Sequence, residues 1–276
     1  MRISLGRGAY IGERALLVAS NGGTITIGDD TSLQDDCMAG GDVQIGAHCL
    51  FGKYVFLSST KHRFSDHPGW LIKDQDRMAH ATPGMTGLSK QIVIEDDCWI
   101  GQGVVINPGI EIGRGAVVGA NSVVTRNAAP YEIHGGVPNR CIGHRLQFVP
   151  PKALWAGKDD DLPYFYRGFC LSRDDLAASR INGVVNARGT AWLVLAGAKS
   201  GNIILNGQCT GSMQFDISVN GVPGGAHRGD GAFEIRIAVP EERSVVRESL
   251  RNFTVVEMAP RSSGSYGIVS AMLEGL

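Results

Sequence analysis

From Ile27 onward an apolar or small residue recurs every six positions: Ile27, Leu33, Ala39, Ile45, Phe51 and Leu57. The series stops, then resumes with Ile94, Ile100, Ile106, Ile112, Val118 and Val124. An earlier run, Leu5, Ile11 and Leu17, keeps the spacing but not the phase. A period of six matches neither the face of a helix nor the alternation of a simple strand. It describes a chain that makes a short strand, turns a corner and makes another. Three such strands close a triangular coil of about 18 residues, and coils stack at about 4.8 Å so that each backbone group is paired above and below. The apolar residue points into the prism, and small or polar residues such as Gly28, Gly46, Gly52, Gly101, Gly113 and Gly119 take the corners. An antiparallel sandwich would not hold one phase over twelve positions. The fold expected is all-β: a left-handed parallel β-helix over 1–145, with about five coils complete by residue 129.

The interruption is itself a prediction. After Leu57 the rhythm is lost until "IVIEDDCWIGQGVVI", so a loop over 61–91 is thrown out at one corner. A loop of that length in a compact repeat is usually functional. It begins in "FLSSTKHRFSDHPGW", which carries His62 and His67. His62 follows directly on an ordered strand and is therefore held by the rigid prism. Pro68 and Trp70 place His67 in a packed turn.

After "NRCIGHRLQF" the rhythm ends. Residues 146–170, with prolines, an acidic run and aromatics, read as a connector. Within 171–276, "MQFDISVNG" and "FEIRIAVP" alternate strictly, as antiparallel strands do, and "NGVPGG" is a turn signal. A small antiparallel β-sandwich-like domain is expected there. It would bind carbohydrate, close over an acceptor, or serve only packing and oligomerisation.

Composition adds mainly exclusions. A formal charge of −1 with dispersed Lys and Arg gives no case for nucleic acid or an anionic membrane. Thirty-eight glycines, roughly twice the usual share of about 7%, mean many tight turns. The six cysteines form no C-x-x-C pair and fit reduced thiols. No apolar run reaches membrane-spanning length and the N-terminus lacks a signal pattern, so a cytoplasmic protein without membrane insertion is expected.

The stretch "IEDDCWIGQGVVINPGIEIGRGAVVGANSVVTRNAAPYEIHGGVPNRCIG", with "KHRFSD" at the loop base, resembles the hexapeptide-repeat acyltransferases. It is most similar to the xenobiotic branch that includes streptogramin and chloramphenicol acetyltransferases. The resemblance covers about residues 1–145. It implies a homotrimer, acetyl-CoA as co-substrate in a groove between subunits, and direct attack by the acceptor with a loop histidine as general base. His62 matches that histidine. A base of near-neutral pKa beside a hydroxyl is what this chemistry needs.

By the same resemblance Trp99, Gly101 and Gln102 lie along the pantetheine arm, with the Gln102 N–H near the thioester oxygen. Ala120 contacts the pantetheine amides, Thr125 and Arg126 line the adenosine-phosphate end, and Arg140 is a phosphate partner. The plain alternatives are a Trp99 that only covers a coil face and basic residues that are solvated charges. Asp66, His67, Trp70 and the segment Arg77 to Met85 are loop candidates for the acceptor pocket. Asp35 is a further substrate-binding candidate, and Asp35 and Asp36 either orient His62 from a neighbouring subunit or have no role. The long C-terminal extension favours a saccharide or other hydroxylated acceptor over a small antibiotic.

Two further readings stay open: a non-catalytic β-helix scaffold or carbohydrate-binding protein, and a metal-dependent hydratase of the same fold. The spacing of His62 and His67 also occurs in trimeric carbonic anhydrases. Zinc needs three protein ligands, though, and His48 falls elsewhere in the repeat, so no metal is expected.

Overall fold

The computed structural model describes residues 1–20, 22–81, 88–244 and 247–275, with the backbone alone for His80. The chain forms two compact units, Met1–Phe148 and Val149–Leu276.

The first unit is a parallel β-helix with three walls. The first wall stacks Arg2–Leu5, Thr24–Ile27, Val43–Ile45, Ile92–Ile94 and Glu111–Ile112. The second stacks Tyr10–Ile11, Ser32–Leu33, Leu50–Phe51, Trp99–Ile100 and Val117–Val118, then adds Glu132–Gly135 and Arg140–His144. The third stacks Leu16–Val18, Met38–Gly40, Phe56–Ser58, Val105–Ile106 and Val123–Val124. Every pair is parallel except the last of the second wall, which is an antiparallel hairpin.

The six-residue series is the inward column of these walls. Ile27, Ile45, Ile94 and Ile112 stack in register and are buried, as are Leu33, Phe51, Ile100 and Val118 on the second wall. The early run is out of phase because its coil is longer. Leu5 pairs with Ile27, 22 residues on, whereas Ile27 pairs with Ile45, 18 residues on. The four extra residues fall in the corner before Thr24. Val43–Ile45 pairs with Ile92–Ile94 as if the intervening loop were absent.

Corners demand left-handed backbone or close approach. His48 is a corner residue with φ of 59°, which is why it stands outside the inward column. At Gly101 an added Cβ would lie 2.6 Å from the backbone nitrogen of Ala120 on the next coil. No side chain fits there.

The second unit is antiparallel. Tyr266–Glu274 pairs with Val185–Leu195, which pairs with Thr254–Pro260, which pairs with Asn202–Val219, which returns to Tyr266–Glu274. The sheet thus closes on itself as a barrel rather than lying as two separate layers. Asn202–Val219 achieves this by length: its first half meets Tyr266–Glu274 and its second half Thr254–Pro260, with a register break between Gln208 and Ser212. Met213, Phe215, Ile217 and Val219 alternate into the core. The stretch read as a connector supplies two strands to this sheet, Ala153–Trp155 and Phe165–Phe169. A helix, Arg173–Asn182, precedes the barrel strands, capped by Ser172 at one end and by Gly183 at φ 65° at the other. No helix among the described residues is long and apolar enough to cross a membrane.

Candidate active site

The loop leaves and re-enters the prism through a hydrogen-bonded pinch. Ser59 is fully buried; its Oγ accepts the Asp42 N–H at 2.7 Å and shares a hydrogen bond of 2.8 Å with Ser89 Oγ. The Lys90 N–H donates to the Ser59 carbonyl at 2.9 Å. His62 lies three residues beyond this clamp, so its backbone inherits the rigidity of the coil.

The loop is not irregular throughout. It contains a helix, Ile72–Ala81, which the sequence reading did not anticipate. Gln75, buried on that helix, accepts the His67 N–H at 3.2 Å and donates to the Trp70 carbonyl at 3.4 Å. Its neighbour Asp76 turns to the loop base. One carboxylate oxygen accepts the Arg63 N–H at 2.8 Å, and the other hydrogen-bonds the Nδ1 of His62. An ionised carboxylate only accepts, so Nδ1 carries the proton and the lone pair falls on Nε2. The His62 side chain is 83% exposed, which leaves that nitrogen accessible to an acceptor molecule.

The other loop candidates are structural in geometry. The His67 ring stacks on Trp70, with centroids 4.4 Å apart. Asp66 pairs with the Arg63 guanidinium. Half-exposed Trp70 offers the aromatic surface of this rim. Of the segment Arg77 to Met85, residues 82–85 lie outside the described residues; Arg77 bonds Asp74 at 3.2 Å. Asp35 and Asp36 stand on a coil corner and are engaged there. Asp35 accepts from Lys53 Nζ at 2.8 Å and from the Glu13 N–H at 3.0 Å. Asp36 takes a bidentate pair of bonds from Arg14 at 2.7 and 2.8 Å. The Lys53 ammonium holds the Asp35 carboxyl below its ordinary range, and the Arg14 guanidinium does the same for Asp36. Within the chain the carboxylate on His62 is Asp76.

The remaining candidates divide between two edges of the prism. Gly101, Gln102 and Ala120 form the edge between the second and third walls, where the Asn121 N–H donates to the Gln102 carbonyl at 2.8 Å. Trp99 projects from the second wall, between Leu50 and Val117, and is 57% exposed. Thr125 and Arg126 lie on the edge between the third and first walls, which is also the edge that carries the loop. Their backbone N–H groups both donate to Asn139 Oδ1, at 2.8 and 3.2 Å, which seats exposed Arg140 beside them. A wall of five residue steps is about 15 Å wide. The third wall therefore separates the His62 edge from the Gln102 edge within one chain.

Residues 91–126 match the family model described as bacterial transferase hexapeptide (six repeats). That stretch of the prism carries the repeat the model describes. Curated relatives of this repeat include a chloramphenicol acetyltransferase of Klebsiella aerogenes, 33% identical over 108 residues, covering 37% of this chain and 51% of that protein. The galactoside O-acetyltransferase of Escherichia coli K12 is 49% identical over 100 residues, covering 36% of this chain and 43% of that one. The chain thus spans about half the length, or less, of the curated relatives it matches. Among solved structures, a hexapeptide-repeat acetyltransferase of Vibrio cholerae complexed with acetyl coenzyme A is 29% identical. It aligns over 52% of this chain and 72% of that one, with a TM-score of 0.42. The matched repeat of this chain lies in the prism, beyond the re-entry point of the loop.

Proposed function

We propose that this protein is an acetyl-CoA-dependent acetyltransferase that acetylates a saccharide hydroxyl, with His62 as general base and a homotrimer as the working unit. The observation that carries the reading is the His62–Asp76 pair, set at the base of a loop that interrupts a transferase repeat. Asp76 fixes ring orientation and tautomer, so Nε2 is the nitrogen presented to the acceptor. As the acceptor oxygen attacks the thioester carbon, Nε2 takes its proton. The tetrahedral oxyanion then collapses, the carbon–sulfur bond breaks, and the imidazolium returns the proton to the leaving thiolate. The products are an acetyl ester and free CoA. The Gln102 N–H, on the opposite edge, is the candidate donor to the oxyanion, and such a preorganised donor is a large catalytic contribution.

Because those edges are separated within one chain, a second copy has to bring its Gln102 edge to the His62 loop. The outer faces of the walls support this. Tyr10, Leu50 and Trp99 line the second wall and Leu16 and Phe56 the third, all exposed, whereas the outward row of the first wall is Ser4, Thr26, Gln44, Val93 and Glu111, of which the one apolar member, Val93, is buried. Two apolar walls and one polar wall suit a ring in which each copy buries two different faces. On this reading Thr125, Arg126 and Arg140 serve the phosphate end of acetyl-CoA, and the exposed Trp70 face, backed by His67, serves the acceptor. The galactoside O-acetyltransferase relative agrees with a sugar acceptor.

The test is thiol release from acetyl-CoA against a panel of sugars and hydroxylated antibiotics. Acceptor-dependent release with a sugar, and an acetyl ester in the product, is the expected result. No release with any acceptor would leave the repeat a scaffold.

A further inference from the structure

The hairpin that ends the second wall gathers four side chains with metal-binding chemistry. Glu132 and His134 are two apart on one strand and share a face. Cys141 and His144 are three apart, which in a regular strand would put them on opposite faces. The pairing corrects this: Glu132 opposes His144, Ile133 opposes Gly143 and His134 opposes Cys141, with a register shift that passes over Ile142. The bulge therefore turns both Cys141 and His144 toward Glu132 and His134, the kind of re-aiming that bulges perform.

The donor atoms converge. Those of Glu132, His134 and Cys141 lie within 4.8 Å of one another. His144 Nε2 is 3.9 Å from Cys141 Sγ and 4.0 Å from Glu132 Oε1. Tetrahedral zinc with nitrogen or oxygen at about 2.0–2.1 Å and sulfur at about 2.3 Å puts its donors about 3.4 Å apart. The two pairs to His144 need to close by about half an ångström, and Glu132–Cys141, bounded at 4.8 Å, by up to about 1.4 Å.

The protons assign the roles. Asn139 Oδ1 accepts the N–H groups of Thr125 and Arg126, so its amide nitrogen faces His134 and donates to Nδ1 at 2.7 Å. His134 Nδ1 is then an acceptor, and Nε2 carries the proton, donated to Glu132 Oε2 at 2.8 Å. Buried His134 is spent as a donor and serves to hold the carboxylate, as hydrogen-bonded partners of metal ligands do. Glu132 Oε1, His144 Nε2 and Cys141 Sγ remain, the last donating to the Gly143 carbonyl at 3.4 Å until it is deprotonated.

We propose that Glu132, Cys141 and His144 bind one zinc-class divalent cation, with His134 as the positioning residue and a fourth position left to water. Binding releases the thiol proton of Cys141 to solvent and forms the metal–thiolate bond. The competing explanation is a polar cap: His134 continues the inward column after Val118, where no further coil covers the core. A cap needs Glu132 and His134 but has no use for Cys141 or His144, which are exposed or nearly so.

The experiment is titration of the tag-free full chain with Zn²⁺ alone, in competition with a chromophoric chelator, and with Co²⁺ as a spectroscopic probe. One Zn²⁺ per chain is expected, weakened at least tenfold in both Cys141→Ser and His144→Ala, and about 10–100-fold in His134→Ala. Co²⁺ should give a thiolate charge-transfer band in the wild type that is absent from Cys141→Ser. Substitution of His227, in the other unit, should change nothing. Circular dichroism of the two exposed-ligand variants checks that they fold. Equal Zn²⁺ affinity in wild type, Cys141→Ser and His144→Ala, or no stoichiometric binding, would overturn the proposal in favour of the cap.

Discussion

Asp76 reaches across the loop to the Nδ1 of His62 and, with its other oxygen, to the N–H of Arg63 at 2.8 Å. One carboxylate thus fixes both the ring and the backbone that carries it. On the proposed function, His62→Ala should lower kcat about 10²–10⁴-fold while leaving acetyl-CoA affinity nearly unchanged. Asp76→Asn should cost less, since the ring survives but loses its orientation. The double variant should be no worse than His62→Ala alone, because the two residues act as one unit. Steady-state kinetics on the three variants check this, and additive losses would separate Asp76 from His62.

Division of the candidates between two edges predicts complementation. His62→Ala removes the base, and Ala120→Arg obstructs the Gln102 edge, so each variant alone should be inactive. Refolded together, they should form mixed trimers in which one interface unites an intact loop with an intact edge. Recovered thiol release, with light scattering at the trimer mass, is the expected outcome. A mixture as dead as its components would put the whole site within one chain.

Gly101 tests the coil packing. A Cβ there meets the Ala120 nitrogen at 2.6 Å, and backbone cannot swing aside as a flexible side chain would. Gly101→Ala should cost about 1–3 kcal/mol in denaturant unfolding of the prism. The same change at Gly69, where nothing lies within 4 Å, should be nearly silent.

Burial pushes the Tyr266 phenol well above its ordinary value, and its hydroxyl donates to the Gly189 carbonyl at 2.7 Å. A raised folded pKa means that the folded barrel holds this proton more tightly than the unfolded chain does. The associated stability is therefore complete below about pH 10 and is lost as pH rises beyond it. Tyr266→Phe should flatten the alkaline limb of stability. Spectrophotometric titration should show one tyrosine that ionises only as the barrel opens.

The prism was legible because its signal is local: every inward residue from Ile27 to Val124 marks itself by the same spacing. The extra length of the first coil could not be read as such, since a four-residue insertion in a corner only shifts the phase. Asp76 was illegible for a different reason. Its partnership with His62 spans 14 residues and requires a helix, and no Ser, Thr, Asp or Asn stands directly before "IKDQDRMAHA" to announce one. The helix Arg173–Asn182 did announce itself, through Ser172 three residues before Asp175 and through Gly183, but it falls within 171–276, where the strictly alternating strands dominated the reading. The hairpin cluster needed a bulge, and no spacing along the chain encodes which residue a bulge passes over.

The pinch at Ser59, Ser89 and Lys90 has a consequence for how such a protein changes over time. Since Val43–Ile45 meets Ile92–Ile94 as though nothing intervened, the coil lattice does not register the length or content of what hangs between. Loops of other lengths, with other rims around the histidine, can be grafted at this clamp without disturbing the register of a single strand. On the proposed function, acceptor choice is thereby free to drift as an exchangeable cassette, while the edges that would serve a common acyl donor stay fixed by the stacking of the coils.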